Sequence, residues 1–452
     1  MFERNLTGNL LVWKESTSRK PLILRGARQV GKTTLIRMFA VHFDHFIQLN
    51  LDQTADRNIF EQNDNVESVV QLLFLRNNIS KQKAQKVLIF IDEIQNSAAA
   101  IKMLRYFYEQ ANHLYVIAAG SLLETILDTK ISFPVGRVEY LILRPFSFEE
   151  FLMAKNKHEA QKLVQSLPFP EYAHQNLMEL FTEYCLIGGM PEVLKHYLEN
   201  SDIVAVGKIF DSLITGYLDD VEKYAISSNQ TVIIRHIISN AIKLAGERIT
   251  FEGFASSKYK SRDIGECFRI LEKTFLLSLI YPTTGTKIPI LENIRKSPKL
   301  HILDTGILNY YSGTQFALLS NQQIDSIFEG KIAEHIVGQE LLSLRTSATA
   351  KNNFWVKENN QSNAELDYVF QSDDLLIPIE VKLGKTGRLR SLMEYMDACP
   401  HHFAVRIYSG QLSFQEAQTI RLKKFKLLNL PFYLISKLPE YIHLMKKNDV
   451  AE

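Results

Sequence analysis

The sequence is poor in cysteine. Among its 452 residues there are three cysteines, Cys185, Cys267 and Cys399, which lie far apart along the chain. An odd number at these spacings fits neither a disulfide framework nor a zinc-binding motif. The scarcity favours a reducing compartment, and we expect the protein to be cytoplasmic.

Long apolar runs are also missing. No stretch approaches the roughly 20 consecutive apolar residues that a membrane-spanning helix needs. The N-terminus, MFERNLTGNLLVWKES, lacks a basic region followed by an apolar stretch, so it is not typical of a secretory signal. We therefore expect no membrane partner.

The chain has no large excess of charge of one sign. Lysine and arginine number 52 against 50 aspartates and glutamates, which gives a formal net charge of +2. This balance neither requires nor excludes a nucleic-acid partner, because a basic stripe can be present in a nearly neutral chain. The composition, 46% hydrophobic and 23% charged, is that of a globular protein, and the length predicts two or three domains.

Short apolar runs alternate with helical stretches from about residue 20 to 145. The runs are PLIL, HFIQLNL, VLIFID, LYVIAAG and VEYLIL. Runs of this length separated by helices predict a parallel sheet covered on both faces. Residues 146–225 are predicted to be mostly helical, with a break at Gly188, Gly189 and Pro191.

A glycine-rich segment, GARQVGKT, joins PLIL to the helical TTLIRMFA. It matches the phosphate-binding P-loop in the strand–loop–helix context that the motif requires, which favours it over a chance glycine-rich turn. Lys32 is expected to reach the β- and γ-phosphates, and Thr33 to ligate Mg²⁺. The predicted cofactors are ATP and Mg²⁺. The predicted nucleotide-binding residues are Gly26, Ala27, Arg28, Gln29, Val30, Gly31, Lys32, Thr33 and Thr34.

The run VLIFID ends in two carboxylates, Asp92 and Glu93. An apolar strand with this ending is common, but together with a P-loop it predicts a Walker B element. Asp92 is expected to hold Mg²⁺ and Glu93 to polarise the attacking water, which predicts hydrolysis as well as binding.

Two further positions have competing interpretations. Ser121 follows LYVIAAG and is expected to reach the γ-phosphate or the catalytic water, or to cap the next helix. Arg137 precedes VEYLIL and is expected either to act on the nucleotide of a neighbouring subunit or to form an ordinary salt bridge. The first role of Arg137 implies a homo-oligomer.

Several motifs together carry a family resemblance: GARQVGKTT, VLIFIDEIQ, AAGSLLE, GRVEYLILRPFSFEEF and GGMPEV. The chain resembles the AAA-type ATPases of bacteria and archaea that carry a C-terminal domain long labelled uncharacterised. The resemblance implies the nucleotide-site roles above and a sensor position at Ser121. It makes GGMP a family landmark, which we interpret as a tight turn after the lid helices.

The segment that follows the lid resembles a winged helix. Its stretch SSKYKSRDIGECFRILEK corresponds to the helix that enters the major groove in DNA-binding relatives. Lys258, Lys260, Arg262 and Arg269 suit phosphate contacts, although such residues also form a solvated face in winged helices that bind only proteins.

The C-terminal segment resembles the restriction-endonuclease-like superfamily. Glu380 and Lys382 lie two residues apart on one predicted strand and so share a face, and Asp367 joins them if the preceding strand forms a hairpin. These carboxylates, with Glu334 or Glu340, would hold a divalent cation near a phosphodiester. A solvent-facing ion pair is the alternative.

These observations predict an α/β protein in which a P-loop sheet and a helical lid precede two further domains. The predicted parts are an AAA-type ATPase core at 1–145, the lid at 146–225, a winged helix at 226–290 and an endonuclease-like domain at 291–452. The leading hypothesis is Mg²⁺-dependent ATP hydrolysis coupled to nucleic-acid binding or remodelling. The alternatives are an ATP-gated metal-dependent nuclease and a nucleotide-controlled protein-binding switch.

Overall fold

The computed structural model describes residues 2–80, 85–120, 134–223, 225–313, 330–358, 364–384 and 389–450. The chain is an α/β protein that divides into two compact units. The first unit contains Met1–Arg144 with the short segments Lys273–Leu276 and Thr346–Thr349. The second contains Pro145–Glu272, Leu277–Arg345 and Ala350–Glu452.

The first unit is built on a five-stranded parallel sheet, which confirms the predicted parallel sheet. Its strands are β1 (Leu22–Arg25), β2 (His45–Asn50), β3 (Val87–Asp92), β4 (Tyr115–Ala119) and β5 (Glu139–Ile142). They are arranged in the order β2-β3-β4-β1-β5. The helices are Leu6–Glu15, Lys32–Phe39, Thr54–Glu61, Val66–Arg76 and Ala98–Gln110.

Strand β3 lies inside the sheet, between β2 and β4. All of its residues are buried, as expected for a strand covered on both faces. Alternate residues Val87, Ile89 and Ile91 join an apolar core with the buried faces of the helices Val66–Arg76 and Ala98–Gln110. Because β1 and β3 run parallel on either side of β4, the segments that follow them emerge at the same edge of the sheet.

The second unit begins with helices. They are Phe148–Ala154, His158–Gln165, His174–Ile187, Pro191–Asn200 and Gly207–Asp219, followed by Ser228–Ala241 and Ser261–Lys273. Strands β6 (Leu277–Ile280) and β8 (Lys299–Ile302) then pair antiparallel. This small sheet extends beyond residue 290, at which we predicted the winged helix to end. The winged-helix assignment stays a prediction.

The remainder of the second unit contains a seven-stranded mixed sheet. Its strands are β7 (Pro282–Thr283), β9 (Asn353–Val356), β10 (Glu365–Ser372), β11 (Leu375–Lys382), β12 (Phe403–Tyr408), β13 (Ser413–Gln418) and β14 (Lys424–Pro431). They are arranged in the order β13-β14-β12-β11-β10-β9-β7. The helices are Thr305–Tyr311, Gly330–Ser343, Arg390–Ala398 and Leu438–Val450. The endonuclease-like assignment also stays a prediction.

The GGMP segment links two helices of the second unit. The helix His174–Ile187 ends at Gly188, whose φ is 73°, and Pro191 opens the next helix. A Cβ atom on Gly188 would lie 2.1 Å from Oδ1 of Asp304, and one on Gly189 would lie 2.3 Å from the carbonyl oxygen of Phe146. Both positions therefore require glycine, because other parts of the unit approach the backbone too closely for a side chain.

Within the described ranges, no helix combines the length and the apolar character that crossing a bilayer requires.

Candidate nucleotide site

The loop between β1 and the helix Lys32–Phe39 has an unusual backbone. Gly26, Gln29 and Gly31 have φ values of 144°, 64° and 96°. A Cβ atom on Gly26 would lie 2.2 Å from the carbonyl oxygen of Leu143, so only glycine fits there. The left-handed turns bend the loop back on itself, and the positive end of the following helix favours an anion at this place.

Lys32 is the first residue of the helix, and its side chain is buried against the loop. Its Nζ donates hydrogen bonds to the carbonyl oxygens of Gly26 and Ala27 at 2.9 and 2.8 Å. Burial lowers the pKa of Lys32 to about 8, against the opposing attraction of Glu93 and Asp92. A phosphate beside the ammonium would stabilise its charged form. The loop thus holds the lysine where an anionic ligand would meet it.

The two predicted magnesium ligands lie in contact. The Thr33 hydroxyl donates to Oδ2 of Asp92 at 2.6 Å, although the residues come from different parts of the sequence. Oδ1 of Asp92 accepts from the backbone N–H of Glu93 at 3.1 Å. A hydroxyl and a carboxylate are the hard oxygen ligands that Mg²⁺ prefers, so the residues present fit that ion.

Glu93 has a left-handed backbone conformation with φ of 52°. Such a conformation is costly for a residue with a side chain, and it often accompanies a functional position. The Glu93 carboxylate accepts a hydrogen bond from the side-chain amide of Gln95, which is itself buried. Gln95 was not predicted as a site residue; its place two positions after Glu93 was the only signal available.

A second residue that the sequence did not reveal is Arg4, a buried arginine outside every motif. Its Nη1 donates to the carbonyl oxygen of Val30 at 3.1 Å, and its Nη2 donates to that of Arg144 at 2.6 Å. The guanidinium therefore fixes the P-loop backbone to the segment after β5. No sequence pattern indicates this contact, because Arg4 precedes the loop and shares no periodicity with it.

Two predicted positions of this unit have different outcomes. Ser121 lies outside the described residues. Arg137 donates from Nε to Oε1 of Glu109 at 3.0 Å, and Arg105 donates to the same carboxylate. Arg137 thus lies in the salt bridge that we named as the alternative, and its action on a neighbouring nucleotide stays a prediction.

The four predicted residues of the endonuclease-like site lie in the second unit. Tyr368 pairs with Ile379, so the next pair along the hairpin is Asp367 with Glu380. Nζ of Lys382 lies 2.7 Å from Oε1 of Glu380, and Oδ2 of Asp367 accepts from the backbone N–H of Val381 at 2.7 Å. Glu334 lies on the helix Gly330–Ser343. Lys299, a residue that we did not predict, links it to Asp367.

Lys299 places a positive charge among these carboxylates. Its Nζ lies 3.0 Å from Oε2 of Glu334, 2.9 Å from Oε1 of Glu365 and 3.8 Å from Oδ1 of Asp367. Among the described residues, no group of three or more histidine, cysteine, aspartate or glutamate side chains is arranged to hold a metal ion. The structure differs here from the expected divalent-cation site, because a lysine ammonium lies between the carboxylates.

Glu340, the other candidate carboxylate, lies elsewhere. It is fully buried and accepts hydrogen bonds from the Tyr184 hydroxyl at 2.8 Å and from the backbone N–H of Phe148 at 3.2 Å. Burial raises the pKa of Glu340 to about 8, although these donors oppose the shift. Its contacts are those of a structural group that holds three helices of the unit together.

The basic residues suggested for phosphate contact are all exposed. Lys258 and Lys260 precede the helix Ser261–Lys273, and Arg262 and Arg269 lie on it. The buried face of this helix carries Ile264, Cys267, Phe268 and Leu271. In the part of the chain that the structure describes, none of the four basic side chains has an ion-pair partner.

Three family models match parts of the chain. Residues 18–152 match the family model of an AAA domain, and residues 178–317 and 329–433 match two domains of unknown function, DUF8612 and DUF4143. A protein of Haemophilus influenzae described as uncharacterized is 23% identical over 392 residues, which cover 83% of this chain and 85% of that protein.

The matches among solved structures include two that extend over more than half of the chain. A Walker-type ATPase of Pyrococcus abyssi has 17% identity and a TM-score of 0.43, covering 69% of this chain and 96% of its own. A variant of RuvB from Thermotoga maritima has 15% identity and a TM-score of 0.28, covering 61% of this chain and 89% of its own.

Proposed function

We propose that this chain, whose residues 18–152 form an AAA-type P-loop ATPase domain, hydrolyses ATP with Mg²⁺ and couples the hydrolysis to nucleic-acid binding or remodelling by its C-terminal half. The 2.6 Å contact between Thr33 and Asp92 is the main support for the first part. It brings the hydroxyl after the P-loop lysine to the carboxylate at the end of β3, which is the arrangement that one Mg²⁺ ion needs.

The residues of the site have separate roles in this proposal. The backbone N–H groups of the loop and the start of the helix Lys32–Phe39 hold the phosphates. Lys32 leaves the carbonyl oxygens of Gly26 and Ala27 and moves to the β- and γ-phosphates, which are better partners for an ammonium. Bound Mg²⁺ supplies neutralisation of the charge that develops on the phosphate oxygens.

Glu93 is the residue that we assign to water activation. Gln95 holds its carboxylate through the side-chain amide, so the carboxylate is oriented before any ligand arrives. A carboxylate in this position accepts a hydrogen bond from the attacking water and aligns it with the terminal phosphate. Asp92, one residue earlier, is left to ligate the metal.

The exposed basic residues support the nucleic-acid part of the proposal. Lys258, Lys260, Arg262 and Arg269 have no ion-pair partners among the described residues, so no protein carboxylate competes with a phosphate for them. Loss of Arg262 and Arg269 together, each replaced by glutamine, is expected to weaken DNA binding. The slope of log K against log salt should fall by about 0.9 for each lost phosphate contact. A matched control, Lys162→Gln with Lys195→Gln, removes the same charge from other helices of this unit and should leave the slope unchanged.

The proposal includes a homo-oligomer in which Arg137 acts on the nucleotide of a neighbouring subunit. Its present partner, Glu109, is exposed to solvent, and ion pairs of this kind are weak because water screens them. Mixing Lys32→Ala with Arg137→Ala tests the assembly, because the first chain supplies the arginine and the second an intact P-loop. Turnover of the mixture should exceed that of either variant alone. If mixing restores nothing, Arg137 has no role on a neighbouring subunit's nucleotide.

The decisive experiment is ATP turnover of the wild type and of Lys32→Ala, with and without single- and double-stranded DNA and RNA. Arg37→Ala, on the exposed side of the same helix, is the matched control. Turnover should be lost only in Lys32→Ala, and one nucleic acid should stimulate the wild type. Unchanged turnover in Lys32→Ala would contradict the ATPase assignment. Absence of nucleic-acid binding even at low salt would instead favour the nucleotide-controlled protein-binding switch.

A further inference from the structure

Four carboxylates of the second unit converge near one lysine. They are Glu334 on the helix Gly330–Ser343, Glu365 and Asp367 on β10, and Glu380 on β11, and we call them the carboxylate cluster. Lys299, on β8, extends its ammonium among them and contacts three: Glu334 at 3.0 Å, Glu365 at 2.9 Å and Asp367 at 3.8 Å. Its side chain is only 8% exposed.

The Lys299 ammonium is firmly charged. Its Nζ forms ion pairs with Glu334 and Glu365 at 3.0 and 2.9 Å, and charge-assisted contacts of this kind favour the charged lysine over the neutral one. The ammonium also lies 5.0 Å from the ring centre of Phe354, whose face attracts a cation. The cluster therefore already contains a permanent cation supplied by the chain.

The remaining carboxylate, Glu380, has an unused oxygen. Its Oε1 pairs with Lys382 at 2.7 Å, whereas Oε2 is buried and has no hydrogen-bond partner among the described residues. Burial raises the pKa of Glu380, and Glu334 and Lys299 are among the charges that act on it. Among the described residues, Lys299 and Lys382 together leave this buried carboxylate oxygen without a hydrogen-bond donor.

We propose that Lys299 is the resident cation of the carboxylate cluster and that its ammonium takes the position of a divalent ion. An ion that bridges Glu334 and Asp367 would need metal–oxygen distances of about 2.0–2.6 Å to both, which places it where the ammonium lies. Two cations cannot share this space. The native chain therefore binds no divalent cation between Glu334 and Asp367, the pair of carboxylates that Lys299 joins. This inference does not depend on the proposed ATP hydrolysis.

The first test uses the native chain without nucleotide. Calorimetric titration with Mn²⁺ compares the wild type with Asp367→Asn, which keeps an acceptor for the backbone N–H of Val381 but loses the carboxylate charge. The two proteins should bind the same number of Mn²⁺ ions, because any ion at Asp92 is common to both. One Mn²⁺ fewer in Asp367→Asn would overturn the proposal.

The second test removes the resident cation. Lys299→Met keeps much of the apolar volume and leaves the cluster without its ammonium, so it should gain one Mn²⁺ per chain. This gain should disappear in Lys299→Met with Asp367→Asn, and it should be absent from Lys299→Arg, which retains the charge. A folded Lys299→Met that gains no Mn²⁺ would overturn the proposal.

Stability provides a readout even if Lys299→Met is poorly folded without metal. Without the ammonium the carboxylates repel one another, which should lower the melting temperature of Lys299→Met. Mn²⁺ should raise that temperature by more than about 3 °C, because a ligand that binds only the folded state stabilises it. The same Mn²⁺ concentration should not change the difference in melting temperature between the wild type and Asp367→Asn. Equal responses of Lys299→Met and the wild type would contradict the inference.

Discussion

Oδ2 of Asp304 accepts a hydrogen bond from the backbone N–H of Gly189 at 2.6 Å, although the two residues are 115 positions apart. The other oxygen, Oδ1, accepts from the backbone N–H groups of Gly306 and Ile307 and so caps the helix Thr305–Tyr311. One buried carboxylate thus connects the start of that helix with the turn after the helix His174–Ile187. This contact gives the GGMP segment a physical meaning.

Gly188→Ala should destabilise the second unit. The new Cβ would lie 2.1 Å from Oδ1 of Asp304, and the positive φ is itself unfavourable for alanine. We expect a loss of about 2–4 kcal/mol in the free energy of unfolding. Gly216→Ala is the matched control, because it lies inside the helix Gly207–Asp219 with open space around its Cα. Gly216→Ala should leave the free energy of unfolding unchanged or raise it by up to about 1 kcal/mol. Denaturant unfolding measures this free energy for both variants.

Glu340 should make stability depend on pH. Its pKa is about 8 in the folded chain and near 4.5 when unfolded, so between these values the folded state binds the extra proton. The stabilisation is therefore complete below pH 4.5 and is lost as pH rises toward 8. Glu340→Gln should reduce the fall in melting temperature between pH 5.5 and 8.5. Parallel melting curves for the two proteins across this range would show that Glu340 does not titrate as proposed.

Arg4→Met should weaken nucleotide binding, although Arg4 belongs to no nucleotide-binding motif. It leaves the buried carbonyl oxygens of Val30 and Arg144 without the guanidinium, which costs about 1–3 kcal/mol for an unsatisfied group. We expect ATP affinity to fall about tenfold, because the P-loop must now be ordered on binding. Arg37→Met, which removes an exposed side chain that donates from Nε to Oε1 of Gln48 at 2.9 Å, should retain wild-type affinity. Equal affinities for both variants would show that Arg4 does not support the loop.

Glu93→Gln should separate ATP binding from turnover. The amide keeps the size of the side chain but cannot accept a proton, so turnover should fall by about 10²–10⁴ while ATP still binds. Gln95→Ala should cause a smaller loss, because it removes only the hydrogen bond that orients Glu93. Turnover and equilibrium ATP binding are measured on the same preparations. A turnover in Glu93→Gln close to that of the wild type would assign water activation to another residue.

Much of the first unit could be predicted because its signals are local. Each apolar run that became a strand is contiguous, and the P-loop lies between a strand and a helix that adjoin it in sequence. The parallel sheet also makes the meeting of Thr33 and Asp92 predictable, since the carboxyl ends of parallel strands share one edge. Arg4 could not be predicted, because its partners are backbone carbonyl groups, which have no sequence signature.

In the second unit, the sequence predicted only part of the carboxylate cluster. The alternation of residues along a strand was enough to place Glu380 and Lys382 on one face, and the hairpin brings Asp367 beside them. Composition and spacing contained no indication that Lys299 would enter the same cluster. Its carboxylate partners come from a helix and a strand that are distant from it in sequence.

The sequence by itself determined the P-loop, the Walker B strand and the parallel sheet, because each depends on residue types at short, fixed spacings. Only the tertiary structure decided which groups the buried charges meet: a P-loop carbonyl oxygen for Arg4, the backbone N–H of Gly189 for Asp304, and carboxylates for Lys299. The physical reason is that a buried charge is satisfied by any suitable group that the fold brings within hydrogen-bond distance, whatever its position in the chain.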